Sequence, residues 1–294
     1  MDSALKLSHS LNLASDISVN FAVRTTDLAE YDSYYLECTL YDGTVVEIDP
    51  VLNGSYYYFT LAGLTAVNIN DEIRATLYMT KGSQDYISQE DRYSVAQYAY
   101  SQLNRPGIGE SLKTLCADLL RYGSAAQTYK GYRTDSLADA AMTEEHKTFL
   151  SDLNSLTFGN NNTVLNDLDN ATVTWTGKSL DLASKVTVKF IFNPANYKGN
   201  VEDLTLRVSF PGIEGETKEF ILTEAELYNS KTGLYAFSFD GLLAAELRAV
   251  VSAQIYDGET PVSCTLQYSA DTYGNGKTGT LGELCKALFA YSDS

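Results

Sequence analysis

The order of residues in this chain is written twice. The stretch Leu11–Val23 (LNLASDISVNFAV) returns as Leu180–Phe192 (LDLASKVTVKFIF), 169 residues further on. The correspondence continues in order. Leu36–Leu40 is answered by Leu206–Phe210, Tyr57–Leu64 by Tyr235–Leu242, and Ile73–Tyr78 by Val251–Tyr256. Tyr93–Ala96 then answers to Tyr268–Asp271, and Leu112–Leu119 to Leu281–Leu288. Self-similarity at one long period constrains a fold more than any local pattern does, because each copy must bury its own hydrophobic face. At 294 residues the chain accommodates two such domains.

Inside each copy the side chains alternate with the period of a strand. Ile17, Val19, Phe21 and Val23 point one way and Asp16, Ser18, Asn20 and Ala22 the other, which predicts one buried and one wet face. Turn signals at 41–44, 53–55, 81–83 and 256–259 cut the chain into six or seven short strands per copy, the pattern of an antiparallel sandwich. Each copy closes with a helix-period stripe, Leu112, Leu115, Cys116, Leu119 and Leu120 in the first and Leu281, Leu284, Cys285 and Leu288 in the second. The expected architecture is therefore mainly β: two homologous antiparallel β-sandwich units, each closed by a C-terminal amphipathic helix. The expected divisions are 1–132, a connector at 133–174 and 175–294. Thr143 is a candidate N-cap for a connector helix ahead of Phe149, Leu150 and Leu153, and 159–163 reads as loop.

A net charge of -17 and a pI near 4.4 disfavour nucleic acid and anionic lipid surfaces as partners. No apolar run is long enough to span a bilayer, so no membrane insertion is expected. The chain begins almost within a strand without a signal-like segment, which suggests a piece of a larger protein.

Residues that carry chemistry are sparse. The two histidines, His9 and His146, both read as surface residues without a catalytic neighbour. The acidic pairs Asp71-Glu72, Glu90-Asp91 and Glu144-Glu145 read as solvated charge. The cysteines fit neither a zinc site nor a redox pair. Cys38, Cys116 and Cys285 read as buried free thiols, and Cys264 as inward-facing beside Val262 and Leu266. Disulfides Cys38–Cys116 and Cys264–Cys285 are conceivable in an extracellular setting. The oxygen-rich stretch from Asn161 to Asn170 lacks the order of a calcium loop. No catalytic residue, metal or cofactor is expected. The 22 tyrosines are the feature with functional promise, since sheet-borne rings stack on sugars and anchor partners. Tyr56 and Tyr58 share one face of a strand, and Tyr98 and Tyr100 follow Tyr93 near the last strand of the first copy. These four, Tyr56, Tyr58, Tyr98 and Tyr100, are the candidate ligand-binding residues, and duplication has left their counterparts in the second copy mostly non-aromatic.

The stretch from Leu112 to Tyr132 (LKTLCADLLRYGSAAQTYKGY), with Ser94–Tyr100 before it, resembles modules of large secreted or cell-surface proteins, some dockerin-bearing, of anaerobic gut Firmicutes. The resemblance implies an extracellular, cell-envelope setting and carries no catalytic motif. The expected function is a non-catalytic binding or spacer module whose partner is a glycan or a host or bacterial surface protein. The alternative is a carboxylate-pair hydrolase, such as a glycosidase, with its site at the junction of the repeats.

Overall fold

Alternating side chains become strands wherever a turn lets two of them pair, and among the described residues every pairing is antiparallel. The computed structural model describes residues 5–13, 17–182 and 186–294, so Asp16 of the predicted alternation lies outside the described residues. The chain separates into two units, Met1–Ser151 and Asp152–Asp293.

The first unit runs through β1 (Ser8–Asn12), β2 (Ile17–Arg24), the single turn α1 (Thr25–Leu28), β3 (Ser33–Thr39) and β4 (Val45–Ile48). It continues with β5 (Val51–Asn53), β6 (Tyr56–Leu64), β7 (Ile73–Lys81), β8 (Gln84–Ile87) and β9 (Asp91–Tyr93). One sheet has the order β1-β2-β6-β5, and the other β4-β3-β7-β8 with β9 also on β7. Val19 lies opposite Leu61 and Phe21 opposite Phe59, all at most 4% exposed. On the other sheet, Leu36 faces Leu77 and Cys38 faces Ala75, all fully buried. The Tyr34 ring of one sheet lies 5.1 Å from the Tyr57 ring of the other.

The outward face of β2 is drier than its alternation predicts: Ser18 is 2% and Ala22 8% exposed. β2 is an inner strand, and its small outward side chains sit among larger neighbours, Ala22 lying opposite Tyr58.

Two helices follow, α2 (Val95–Asn104) and α3 (Glu110–Lys130). Ser94 caps α2 by accepting the Gln97 N–H. α3 ends at Gly131, whose φ of 66° is the left-handed conformation that glycine adopts without strain. Of its predicted stripe, Cys116, Leu119 and Leu120 are fully buried, while Leu112 and Leu115 near the start of the helix are half-buried.

Residues 133–151 belong to this unit. The predicted connector helix is one turn, α4 (Glu144–Lys147), capped by Thr143 as its sequence indicates. Beyond it, Ser151 is held by the buried Asp118, which accepts from the Ser151 N–H at 3.2 Å and from its hydroxyl at 2.5 Å.

The second unit contains β10 (Asn162–Val164), β11 (Thr174–Leu182), β12 (Val186–Asn193), β13 (Leu204–Pro211) and β14 (Thr217–Leu222). After these come β15 (Glu226–Asn229), β16 (Leu234–Phe239), β17 (Val251–Asp257), β18 (Thr260–Pro261), β19 (Leu266–Tyr268) and α5 (Gly279–Asp293). Its sheets have the orders β11-β12-β16-β15 and β10-β19-β17-β13-β14, with β18 on β17. From β11 to β19 this is the order of β1 to β9, strand for strand. The register agrees as well: Cys38 lies between Val46 and Ala75, and Val208 between Phe220 and Ala253. β10 is an addition. Asn162 and Thr163, read as loop, pair with Tyr268 and Gln267 because β19 offers an open edge whose backbone groups need partners.

Candidate ligand-binding site

β6 divides its tyrosines between its two faces. Tyr57 and Phe59 point inward, and Tyr56, Tyr58 and Thr60 point outward. The outward rings of Tyr56 and Tyr58 lie 6.3 Å apart, both half-buried. Arg24 lies opposite Tyr56, and its bond to the phenol raises its pKa. Thr60 donates to Asn20 Oδ1 at 2.7 Å.

The other two candidate tyrosines belong to a different element, α2. Tyr98 is half-buried, and burial raises the pKa of its phenol. The Tyr100 hydroxyl donates to the Ala138 carbonyl at 2.8 Å and accepts from the Ala141 N–H at 3.2 Å. Tyr100 is thereby committed to holding the returning segment 138–146. That segment also overturns the surface reading of His146, which is 5% exposed, with its ring 6.2 Å from Tyr100 and Nε2 3.2 Å from Asn104 Oδ1. His9 is exposed, 2.9 Å from Asp91 and 3.9 Å from the Tyr93 ring.

A cleft of about 340 Å³ opens beside the second half of β6. β5 pairs only with Tyr56–Tyr58, so among the described residues no strand pairs with this edge of β6 from Phe59 onward. Leu40, Val46, Leu61 and Ile73 supply apolar lining; Tyr41, Asp42, Thr60, Asn68, Asp71, Glu72 and Tyr132 supply polar lining. Tyr41 is 57% exposed at the tip of the β3–β4 turn. In that turn the Asp42 carboxylate accepts the Thr44 N–H at 2.9 Å, the main reason its pKa is lowered.

Asp71, expected to be solvated, is 6% exposed and accepts three donors. These are Asn68 Nδ2 at 2.8 Å, the Tyr132 hydroxyl at 2.8 Å and Arg133 Nη1. The Tyr132 phenol is pushed up to about 12, first by burial and then by Asp71. Burial opposes the charge on Arg133, but Asp71 outweighs it and the pKa is raised. The guanidinium lies 4.1 Å from the centre of the Tyr41 ring. Arg133 has a φ of 44°, a left-handed conformation that costs a non-glycine residue about 1 kcal/mol or more unless its surroundings hold it. Glu72 pairs with Arg92 at 3.3 Å.

The second unit shows why the first has room. By strand register, Leu40, Val46 and Leu61 correspond to Phe210, Phe220 and Phe239. Those three rings pack on one another, with centroids 5.8, 6.0 and 5.2 Å apart. Where the first unit has Asn68 beside Asp71, the second has buried Glu246 bonded to Lys218 at 2.6 Å. A Cβ built on Gly241 would meet Phe239 at 2.6 Å, whereas one on the matching Gly63 meets nothing within 4 Å.

The cysteines are free thiols, so neither conceivable disulfide is present. Burial pushes Cys38 and Cys116 up to about 12. Cys264 is half-exposed, a departure from its predicted inward place. Residues 262–265 lie outside any strand, and there Ser263 turns in to accept the Ile255 N–H at 2.9 Å. In the polar stretch before β11, Asp167 accepts the Thr265 N–H at 2.9 Å, which makes it a loop fastener.

No protein family and no curated protein matches the chain. Among solved structures, a bromine derivative of BhCBM56 matches at 12% identity and a TM-score of 0.23, over 30% of this chain and 90% of its own. A GH family 64 laminaripentaose-producing β-1,3-glucanase from Paenibacillus barengoltzii, complexed with laminarihexaose, matches at 7% identity and a TM-score of 0.22. That match covers 90% of this chain and 44% of the glucanase. A second structure of the glucanase gives 6% identity and a TM-score of 0.23, over 85% of this chain and 47% of the glucanase. Scores this low carry no argument about function.

Proposed function

We propose that the chain is a non-catalytic, glycan-binding module of an extracellular or cell-surface protein, built from two copies of one β-sandwich with a closing helix. In this reading the first copy carries the site and the second is scaffold. The observation that carries it is the cleft of the first unit, open where three phenylalanines fill the second.

The lining combines what a sugar ring needs. Leu40, Val46 and Leu61 can meet its C–H faces, exposed Tyr41 stands at the mouth, and Asp42 and Glu72 offer carboxylate oxygens to hydroxyls. The net charge of -17 favours a neutral ligand over an anionic one. Hydrolysis would need a carboxyl group free to give up a proton beside a second carboxylate. Both oxygens of Asp71 already accept from Arg133, Tyr132 and Asn68, and Glu72 is paired with Arg92.

Val46→Phe tests the reading, because it places in the cleft the residue that the second unit holds at the same register. Calorimetric titration with neutral oligosaccharides is expected to show binding by the unaltered protein and a loss of about tenfold or more, roughly 1.4 kcal/mol, in the variant. The melting temperature should hold. Native affinity in a folded Val46→Phe protein would exclude the cleft.

A further inference from the structure

We infer that the ligand is a linear neutral glycan gripped by one chain end, its terminal sugar in the cleft and the following sugars lying along β6 over Tyr58 and then Tyr56; this rests on the glycan reading. The cleft and the tyrosine pair belong to one path. Thr60 lines the cleft, and the next outward residues back along β6 are Tyr58 and Tyr56. Alternate residues of a strand are roughly 6.6 Å apart, and the two rings stand at 6.3 Å. Both tyrosines therefore continue the line that starts at Thr60.

The other end of the path is lined by Asn68, Asp71 and Tyr132. Asp71 is buried there under Asn68, Tyr132 and Arg133, so a chain that enters past Thr60 stops at that network. Among the described residues the β5 side of the entry is open, since β5 pairs no further along β6 than Tyr58. A pocket followed by a strip of rings selects for ends and for length: the pocket takes one terminal sugar, and each ring adds affinity only when the chain reaches it. Sugar stacking draws on aromatic area that is already held in place, so little ordering entropy opposes each added contact.

The test uses the whole chain and two kinds of probe: linear cello-, xylo-, manno- and laminari-oligosaccharides of increasing length, and cyclodextrins, which have no ends. Calorimetry is expected to show affinity that rises with length in at least one linear series, with no binding of the ring-closed glucans. Tyr58→Ala should weaken the longer members by about tenfold, the effect of an interface anchor, and leave the shortest binder unchanged. Val46→Phe should weaken every length. Circular dichroism and melting confirm that each variant is folded. Cyclodextrins that bind as tightly as linear chains would overturn end recognition, as would a Tyr58→Ala defect equal at all lengths. If the unaltered protein binds none of the probes, the glycan reading itself fails and takes this inference with it, an outcome distinct from binding that ignores length.

Discussion

Asp71 is an acid whose surroundings reverse its sequence reading. Beside Glu72 in a turn it looks solvated, yet partners 61 and 62 residues away, Tyr132 and Arg133, enclose it. Removing one member of a buried ion pair costs more than the pair contributes, because the remaining charge and donors lose their partner. Asp71→Ala is therefore expected to destabilise the first unit by about 3 kcal/mol, at the low end for such pairs since Arg133 retains some access to water. Urea titration checks the value. Release of the left-handed Arg133 should also loosen the Tyr41 contact at the mouth of the cleft.

At the scale of elements, α3 shows packing overruling propensity. Glycine within a helix costs about 0.5 to 1 kcal/mol relative to alanine, so Gly123→Ala stabilises by propensity alone. A Cβ there would come within 2.2 Å of Ile69 Cδ1 and 3.1 Å of Ala138 Cβ. Ile69 is fully buried and Ala138 1% exposed, so neither has room to move aside. Overpacking of this kind costs about 1 to 3 kcal/mol, and Gly123→Ala should therefore lower stability by about 1 kcal/mol net. Denaturant unfolding decides the sign. The apolar stripe of α3 was legible in the spacing of Leu115, Cys116 and Leu119. The close approach of Ile69 was not, because a glycine in a sequence does not disclose what stands against it.

For the molecule as a whole, the boundary follows the hydrogen bonds. The repeat ends near 132, but Ser151 satisfies Asp118, Ala138 pairs with Gln127, and Asn70 reaches Ser136, all within the first unit. A fragment of residues 1–151 is expected to melt cooperatively by itself. One of residues 1–132 leaves fully buried Asp118 and Gln127 without those partners and should lose about 3 kcal/mol or more, or fail to fold. Thermal melts of the two fragments, followed by circular dichroism, test this directly.

Strand alternation, turn residues, helix stripes and the repeat itself follow from the order of residues, because each depends on neighbours close along the chain. They were sufficient for a mainly β protein of antiparallel sheets with helices after the strands, and for placing Tyr56 and Tyr58 on one face. The cleft is different in kind. Leu40, Val46 and Leu61 are unremarkable apolar residues in sequence, and only the register that sets them against Phe210, Phe220 and Phe239 reveals missing volume. The fates of Tyr100, Asp71 and His146 were likewise decided by contacts at 38, 62 and 42 residues' separation. Local sequence specifies which surfaces a chain can make, whereas burial is settled by whatever distant segment folds over them.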